Sequence, residues 1–187
     1  MNKNTAAWAR DLARKHLETP LPRRWAHTQG VARQARTLAP ILKGQADLLE
    51  AAAWLHDIGY APDLVDTGFH PLDGARFLRS THQADDHLCR LVAFHSCALI
   101  EARERGLADE LNRAFGPEPS SLSDFLVYCD MTTSPDGQPV TVVDRIAEIL
   151  RRYEPDHPVN RAINRASPLL IAHVEGINQR RHVALLP

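Results

Sequence analysis

The sequence predicts an all-α protein that folds as one domain over residues 1–187. Apolar residues recur with the helical period along nearly the whole chain. No stretch alternates apolar and polar residues for long enough to make a strand. The chain has 187 residues, 44 % hydrophobic and 24 % charged, which is the size and composition of a single globular domain with a sizeable core.

The helices are placed by this period and by their start and stop signals. Pro22 and Pro71 suit the first turns of two helices, and Gly59 lies where a C-cap is expected. Ser121 with Asp124, and Thr141 with Asp144, fit capping boxes. The predicted helices cover 5–18, 22–39, 47–58, 71–80, 84–105, 107–115, 121–130, 141–153 and 160–182, with loops at 116–120 and 134–139.

The predicted helices group into three parts along the chain. Residues 21–153 form the core of the domain, and 5–18 form an additional N-terminal helix. The segment 160–182 is a C-terminal helical extension with its own apolar row. That row closes the core or forms a homodimer contact, and the sequence leaves both options open.

Charge and cysteine content exclude several classes of protein. With 22 Lys and Arg against 23 Asp and Glu, the net charge of −1 offers no field for nucleic acid. No apolar run approaches the roughly 18 residues of a membrane span, and the polar start 1–5 is not followed by a signal peptide. The 3 cysteines form no C-x-x-C pair. We therefore expect a cytoplasmic protein with no membrane or nucleic-acid partner.

Six ionisable residues fall on the apolar faces or at the ends of five predicted helices. His27 continues an apolar row with Val31 and Ala35, and Asp130 continues one with Leu126. One such histidine alone is usually a hydrogen-bonded core residue, but four histidines and two aspartates together need another explanation. A residue directly before Pro71 is expected at a helix N-cap. The set comprises His27, His56, Asp57, His70 (the expected N-cap), His95 and Asp130.

A metal site explains this set. A buried carboxylate costs several kcal/mol unless it is paired or bound to a cation. The apolar rows that carry Asp57 and Asp130 contain no Lys or Arg. Four imidazoles and two carboxylates suit Fe, Mn, Co or Zn better than Mg. Six ligands are too many for one ion that also holds a water, so we expect two divalent ions about 3.5–4 Å apart.

The order of these residues resembles the HD-domain metal-dependent phosphohydrolase superfamily, in the subset that binds two metals. The similarity runs from Arg23 to Tyr153 and includes the His-Asp pair within 54–59 and a His-x-x-x-Gly-Ala motif at 70–75. Segments 24–31 and 128–130 look similar to the bacterial dinucleoside tetraphosphate hydrolases.

This resemblance implies metals held between helices and hydrolysis of phosphate esters or anhydrides. His27, His56, Asp57 and Asp130 would hold one ion, while His70 and His95 would complete a second site bridged by Asp57. Asp57 would also orient the attacking water, which makes it the expected catalytic residue. The implied substrate is a small phosphorylated compound, with nucleotides as the first candidates.

Two departures from the family pattern bear on the substrate. Many relatives have Lys where this chain has Tyr60, so the usual phosphate contact is missing. His95 is followed by Ser96 and Cys97 rather than by the second His and Gly-Tyr-Pro run of cyclic dinucleotide phosphodiesterases. Candidates for contacting the substrate are Arg24, Ser96, Thr132 and Arg145.

Two other functions remain open at this point. The superfamily scaffold also hosts di-iron oxygenases, which need redox-active iron and oxygen, whereas a hydrolase works anaerobically with Mn or Co. A non-catalytic metal or nucleotide sensor would bind nucleotides without turnover.

Overall fold

The computed structural model describes residues 5–116 and 121–184, which form helices joined by short loops. Among these residues the only strand-like feature is an isolated bridge between Thr133 and Pro139, so the all-α prediction is confirmed. The α-helices are α1 (Ala6–Leu17), α2 (Pro22–Thr37), α3 (Ala46–Leu55), α4 (His70–His82), α5 (Asp86–Phe94), α6 (Ala98–Glu104), α7 (Ala108–Phe115), α8 (Ser121–Met131), α9 (Val142–Arg152) and α10 (Pro158–Ala184), with 3₁₀ turns at Ala39–Ile41, Ile58–Tyr60 and His95–Cys97.

Helix α3 lies at the centre of the core. Its residues from Ala51 to Leu55 are all buried, and it packs against α1, α2, α5 and α8. A helix that is apolar on all sides is expected to be enclosed by other helices. Its C-terminal end therefore brings the residues that follow it into the middle of the molecule.

Helix α10 covers one side of this core. Leu170, Val174 and Ile177 are buried, and the helix packs against α6, α8 and α9. The apolar row predicted for the C-terminal extension therefore closes the core. No helix in the described ranges is long and apolar enough to cross a bilayer.

Several predicted helix ends are correct. Pro22 and Pro71 lie in the first turns of α2 and α4. Thr141 caps α9, where its Oγ1 accepts the backbone N–H of Asp144 at 3.1 Å. The Ser121 side chain and residues 117–120 of the loop predicted at 116–120 lie outside the part of the chain that the structure describes.

The single helix predicted over 84–105 is wrong. The chain forms α5 and α6 there, separated by the turn His95–Cys97 in which Ser96 and Cys97 have φ of 49° and 61°. Non-glycine residues rarely adopt this left-handed region, and it ends a right-handed helix. Because apolar residues continue through the turn, hydrophobic periodicity could not reveal it.

Two further boundaries differ from the prediction for the segment that joins α3 to α4. Helix α3 ends at Leu55, so Gly59 lies in a 3₁₀ turn instead of forming a C-cap. A Cβ on Gly59 would lie 2.1 Å from the carbonyl oxygen of His70. This close approach requires glycine. His70 is the first residue of α4, with Phe69 rather than His70 at the N-cap.

Candidate metal centre

The structure brings together all six side chains proposed as metal ligands. They come from α2, from the segment after α3, from the start of α4, from the end of α5 and from α8. They form two groups in each of which the ligand atoms lie within 4.8 Å of one another. The first group is His27, His56 and Asp130, and the second is Asp57, His70 and His95.

Asp57 lies between the two groups. Its Oδ1 is 3.3 Å from Nε2 of His70 and 3.9 Å from Nε2 of His95. Its Oδ2 is 3.3 Å from Nε2 of His56 and 3.8 Å from Nε2 of His27. Each carboxylate oxygen thus faces one group, which is the position expected of a bridging ligand.

Backbone carbonyls orient three of the four imidazoles. Nδ1 of His27 donates to the carbonyl oxygen of Ser134 at 2.9 Å. Nδ1 of His56 donates to Ala53 at 2.8 Å, and Nδ1 of His95 donates to Val92 at 2.7 Å. In a neutral imidazole these bonds leave the lone pair on Nε2, which points into the site.

The inward-pointing acceptors fit metal ions. Nε2 of His56 is buried and has no hydrogen-bond partner. Nε2 of His27 faces Asp130 Oδ1 at 3.0 Å, and Nε2 of His70 faces Nε2 of His95 at 3.1 Å. Acceptors this close repel unless a proton or a metal ion lies between them. Both groups therefore have the donor chemistry of a site for a divalent transition metal.

Both buried carboxylates also have an arginine nearby, although the apolar rows that carry them in the sequence contain no Lys or Arg. Nη1 of Arg24 lies 2.7 Å from Asp57 Oδ2, and Nη2 of Arg145 lies 3.9 Å from Asp130 Oδ1. These arginines come from α2 and α9. Because these helices are not the ones that carry the carboxylates, the spacing of residues around Asp57 and Asp130 could not reveal the two arginines.

Electrostatics keep both carboxylates ionised. Burial opposes this, but the Arg24 guanidinium and His56 hold the pKa of Asp57 well below its usual value. Burial likewise opposes ionisation of Asp130, yet without a metal ion a proton on Nε2 of His27 donates a hydrogen bond to Asp130 and lowers the pKa of that carboxyl. Burial and the neighbouring His70 lower the pKa of His95 to about 3, so that imidazole is neutral and available as a ligand.

Of the four residues proposed to contact the substrate, three line the cavity beside the two ligand groups and one does not. Ser96 Oγ donates to Asp130 Oδ2, and Arg24 and Arg145 line the cavity beside the two groups. Thr132 is buried, and its hydroxyl donates to the carbonyl oxygen of Tyr128 at 2.7 Å. The hydroxyl of Thr132 is therefore already used in a hydrogen bond to the backbone of α8, and the residue does not line the cavity.

Tyr60 occupies the position at which many relatives have Lys, and its ring contacts two residues of the site. Its ring stacks on His70 at a centroid distance of 3.9 Å and an interplanar angle of 18°. The Arg24 guanidinium lies 4.0 Å from the centroid of the same ring. Tyr60 thus fixes the imidazole of one group and the arginine beside the other.

Arg152 also lines the cavity and was not predicted. Its position seven residues after Arg145, on the same face of a helix, was visible in the sequence. Nothing in the residue pattern favours burial of this face of the helix over its exposure to solvent.

Comparisons with known proteins identify one family. The family model described as HD domain matches residues 24–156, well over half of the chain, and this range contains all six side chains. Neither the curated proteins nor the solved structures gave a match.

Proposed function

Because the chain belongs to the HD domain family, we propose that it is a phosphohydrolase that uses two divalent metal ions. Its substrate is a small phosphorylated compound, such as a nucleotide, in which an ester or anhydride bond is cleaved. The observation that carries this proposal is the pair of His/Asp groups, with Asp57 of the second group also facing the first, beside a cavity lined by arginines.

The two groups would each hold one ion. His27, His56 and Asp130 would hold the first, and Asp57, His70 and His95 would hold the second. Ions bound there supply Lewis-acid chemistry, which lowers the pKa of water and neutralises charge on phosphoryl oxygens.

Side chains of the protein can orient the attacking water and bind the phosphoryl oxygens. Ionised Asp57 is a hydrogen-bond acceptor that can orient a water molecule for in-line attack on phosphorus. Arg24 and Arg145 present permanent positive charge to the same cavity, where phosphoryl oxygens would lie. Their planar donors match the geometry of a phosphate group.

Metal content and phosphate release test this proposal. Protein purified without chelator is expected to contain about two equivalents of Fe, Mn, Co or Zn. It should release phosphate from a nucleotide panel under anaerobic conditions with Mn, which separates hydrolysis from oxygenase chemistry. His95→Ala should reduce the metal content towards one equivalent.

The control is His182→Ala, which removes an exposed histidine of α10. It should leave both metal content and phosphate release unchanged. Protein that binds no metal even after reconstitution, or that is loaded and hydrolyses none of the panel, contradicts the proposal.

A further inference from the structure

One face of α9 presents two arginines to the cavity beside the metal centre. Arg145, Ile149 and Arg152 follow one another at helical spacing and all line this cavity. Glu148 lies between the arginines, with Oε2 at 2.5 Å from Nη1 of Arg145 and 3.5 Å from Nη2 of Arg152. The shared carboxylate holds the two guanidinium groups next to each other.

Metal binding would withdraw two aspartates from the arginines of this cavity and leave Glu148 as the carboxylate that Arg145 and Arg152 share. Arg24 is paired with Asp57, and Arg145 lies near Asp130. Both carboxylates belong to the candidate ligand groups. Glu101, which also lines the cavity, is already paired with Arg105 at 2.7 Å. Ions on the two aspartates would therefore create a surplus of positive charge that a polyanion can balance.

The environment of the Arg145 side chain is a second indication that an anion binds here. Its side chain is only 5 % exposed, and its buried Nε has no hydrogen-bond partner. An unsatisfied buried donor is costly, especially on a charged group, and a bound anion removes that cost.

A second cavity shares these arginines and is also lined by the candidate ligand His27. It has a volume of about 300 Å³ and is lined by Arg24, Arg145 and Arg152 together with Pro22 and Pro135. The arginines thus line both the cavity beside the metal centre and an adjoining space that can hold more of a ligand.

We propose that Arg145 and Arg152, with Arg24, form a subsite for a second phosphate group adjacent to the one at the metal centre. This inference rests on the proposed function and specifies its substrate class as compounds with two or more linked phosphates. Water adds to the phosphorus at the metal centre, and the bond from that phosphorus to the bridging oxygen breaks. The electron pair of that bond stays on the bridging oxygen of the departing phosphate, and the proton that the water loses passes to solvent. The arginines neutralise the charge on the departing phosphate.

Equilibrium binding of inert anions tests the subsite without relying on turnover. The probes are methylenediphosphonate, which cannot be hydrolysed, and methylphosphonate, which has a single phosphonate group. Both are titrated calorimetrically into Mn-loaded protein, with metal content measured before and after to exclude stripping. The diphosphonate should bind at least about tenfold more tightly than the monophosphonate.

Two arginines next to each other on α9 provide a matched pair of variants. Arg152→Gln should remove most of the preference for the diphosphonate while leaving methylphosphonate binding and metal content unchanged. Arg151→Gln changes an exposed arginine that lines neither cavity, and it should retain the full preference. Because Arg152 is 31 % exposed on its side chain, its replacement should not prevent folding.

The outcomes separate the subsite from the proposed function. If methylphosphonate binds but the diphosphonate gains nothing, or if both variants behave alike, the subsite is overturned and the phosphohydrolase proposal stands. If neither anion binds the loaded protein, both proposals are overturned.

Discussion

At the scale of single residues, Arg24 would compete for Asp57 with a metal ion bound at the candidate centre. Its Nη1 lies 2.7 Å from Oδ2, the carboxylate oxygen that faces His27 and His56. Two positive charges at such short range repel strongly in a buried site. The arginine therefore stabilises the carboxylate when no ion is bound and must shift or share it when one is.

Arg24→Gln is expected to tighten metal binding by about tenfold, because this repulsion is removed. It should also slow phosphate release, because a cation that contacts the substrate is lost. Competition against a chromophoric chelator measures the affinity. Arg23→Gln is the control, since Arg23 is exposed and pairs with Asp136 at 2.8 Å. Weaker metal binding in the Arg24 variant would contradict this account.

The six candidate ligands, and Arg24 and Arg145 among the cavity residues, could be singled out from the sequence, whereas Arg152 could not. His27 and Asp130 were detectable because a polar side chain on a regular apolar row must be compensated within the core. Arg152 lies on a helix whose charged residues look solvated in the sequence. Only the packing of α9 against α8 and α10 places its face beside the metal centre.

At the scale of elements, the site depends on short turns rather than on long helices. The left-handed residues Ser96 and Cys97 end α5 directly after His95, and the turn Ile58–Tyr60 follows Asp57. Helical periodicity predicted the helices well because it reports the buried face. It could not locate these turns, since backbone dihedral angles leave no trace in the spacing of apolar residues.

Gly59→Ala is expected to destabilise the protein by about 3 kcal/mol and to weaken metal binding at the second group. A Cβ at this position would lie 2.1 Å from the carbonyl oxygen of His70 and 2.6 Å from the amide nitrogen of Gly74. The first turn of α4 would have to move, and His70 with it. Urea unfolding and metal titration measure the two effects.

Gly176→Ala is the matched control, because a Cβ there meets nothing within 4 Å in the middle of α10. It should raise the free energy of unfolding, by up to about 1 kcal/mol, through helix propensity. Equal stability of the two alanine variants would show that the turn adapts freely.

At the scale of the whole molecule, Glu104 connects α6 to α10. Its side chain is only 9 % exposed, accepts the Nε of Arg161 at 2.7 Å and also contacts Arg165. The hydrogen bond from Arg161 lowers the pKa of Glu104 below its usual value of 4.5. The folded state therefore favours the ionised carboxylate. This stabilisation is present at neutral pH and is lost as the pH falls through the lowered pKa.

Glu104→Gln should accordingly lower the melting temperature at neutral pH, and the difference from the parent protein should shrink as the pH falls below 4.5 and through the lowered pKa. Thermal unfolding across this pH range measures it. Glu18→Gln interrupts an exposed pair with Arg14 on α1 and should have a smaller effect. A difference for Glu104→Gln that is independent of pH would show that charge is not the cause.

Metal binding should stabilise the whole fold, because the six ligands come from five different parts of the chain. At a free ion concentration of 100 times the dissociation constant, one site contributes about 2.7 kcal/mol. Chelation should lower the melting temperature, and added Mn should restore it. His27→Ala should respond less to chelation, and an identical response in this variant would exclude His27 as a ligand.

The carbonyl groups of Ala53, Val92 and Ser134 have a consequence for how the protein behaves in a cell. They hold three imidazoles in place before any ion arrives, so loading requires little rearrangement of these ligands. A rigid site of nitrogen and oxygen donors accepts several first-row metals, and occupancy then follows supply. The same chain expressed in iron-rich and in manganese-rich medium should therefore contain different ions. Its measured activity would then depend in part on the growth medium.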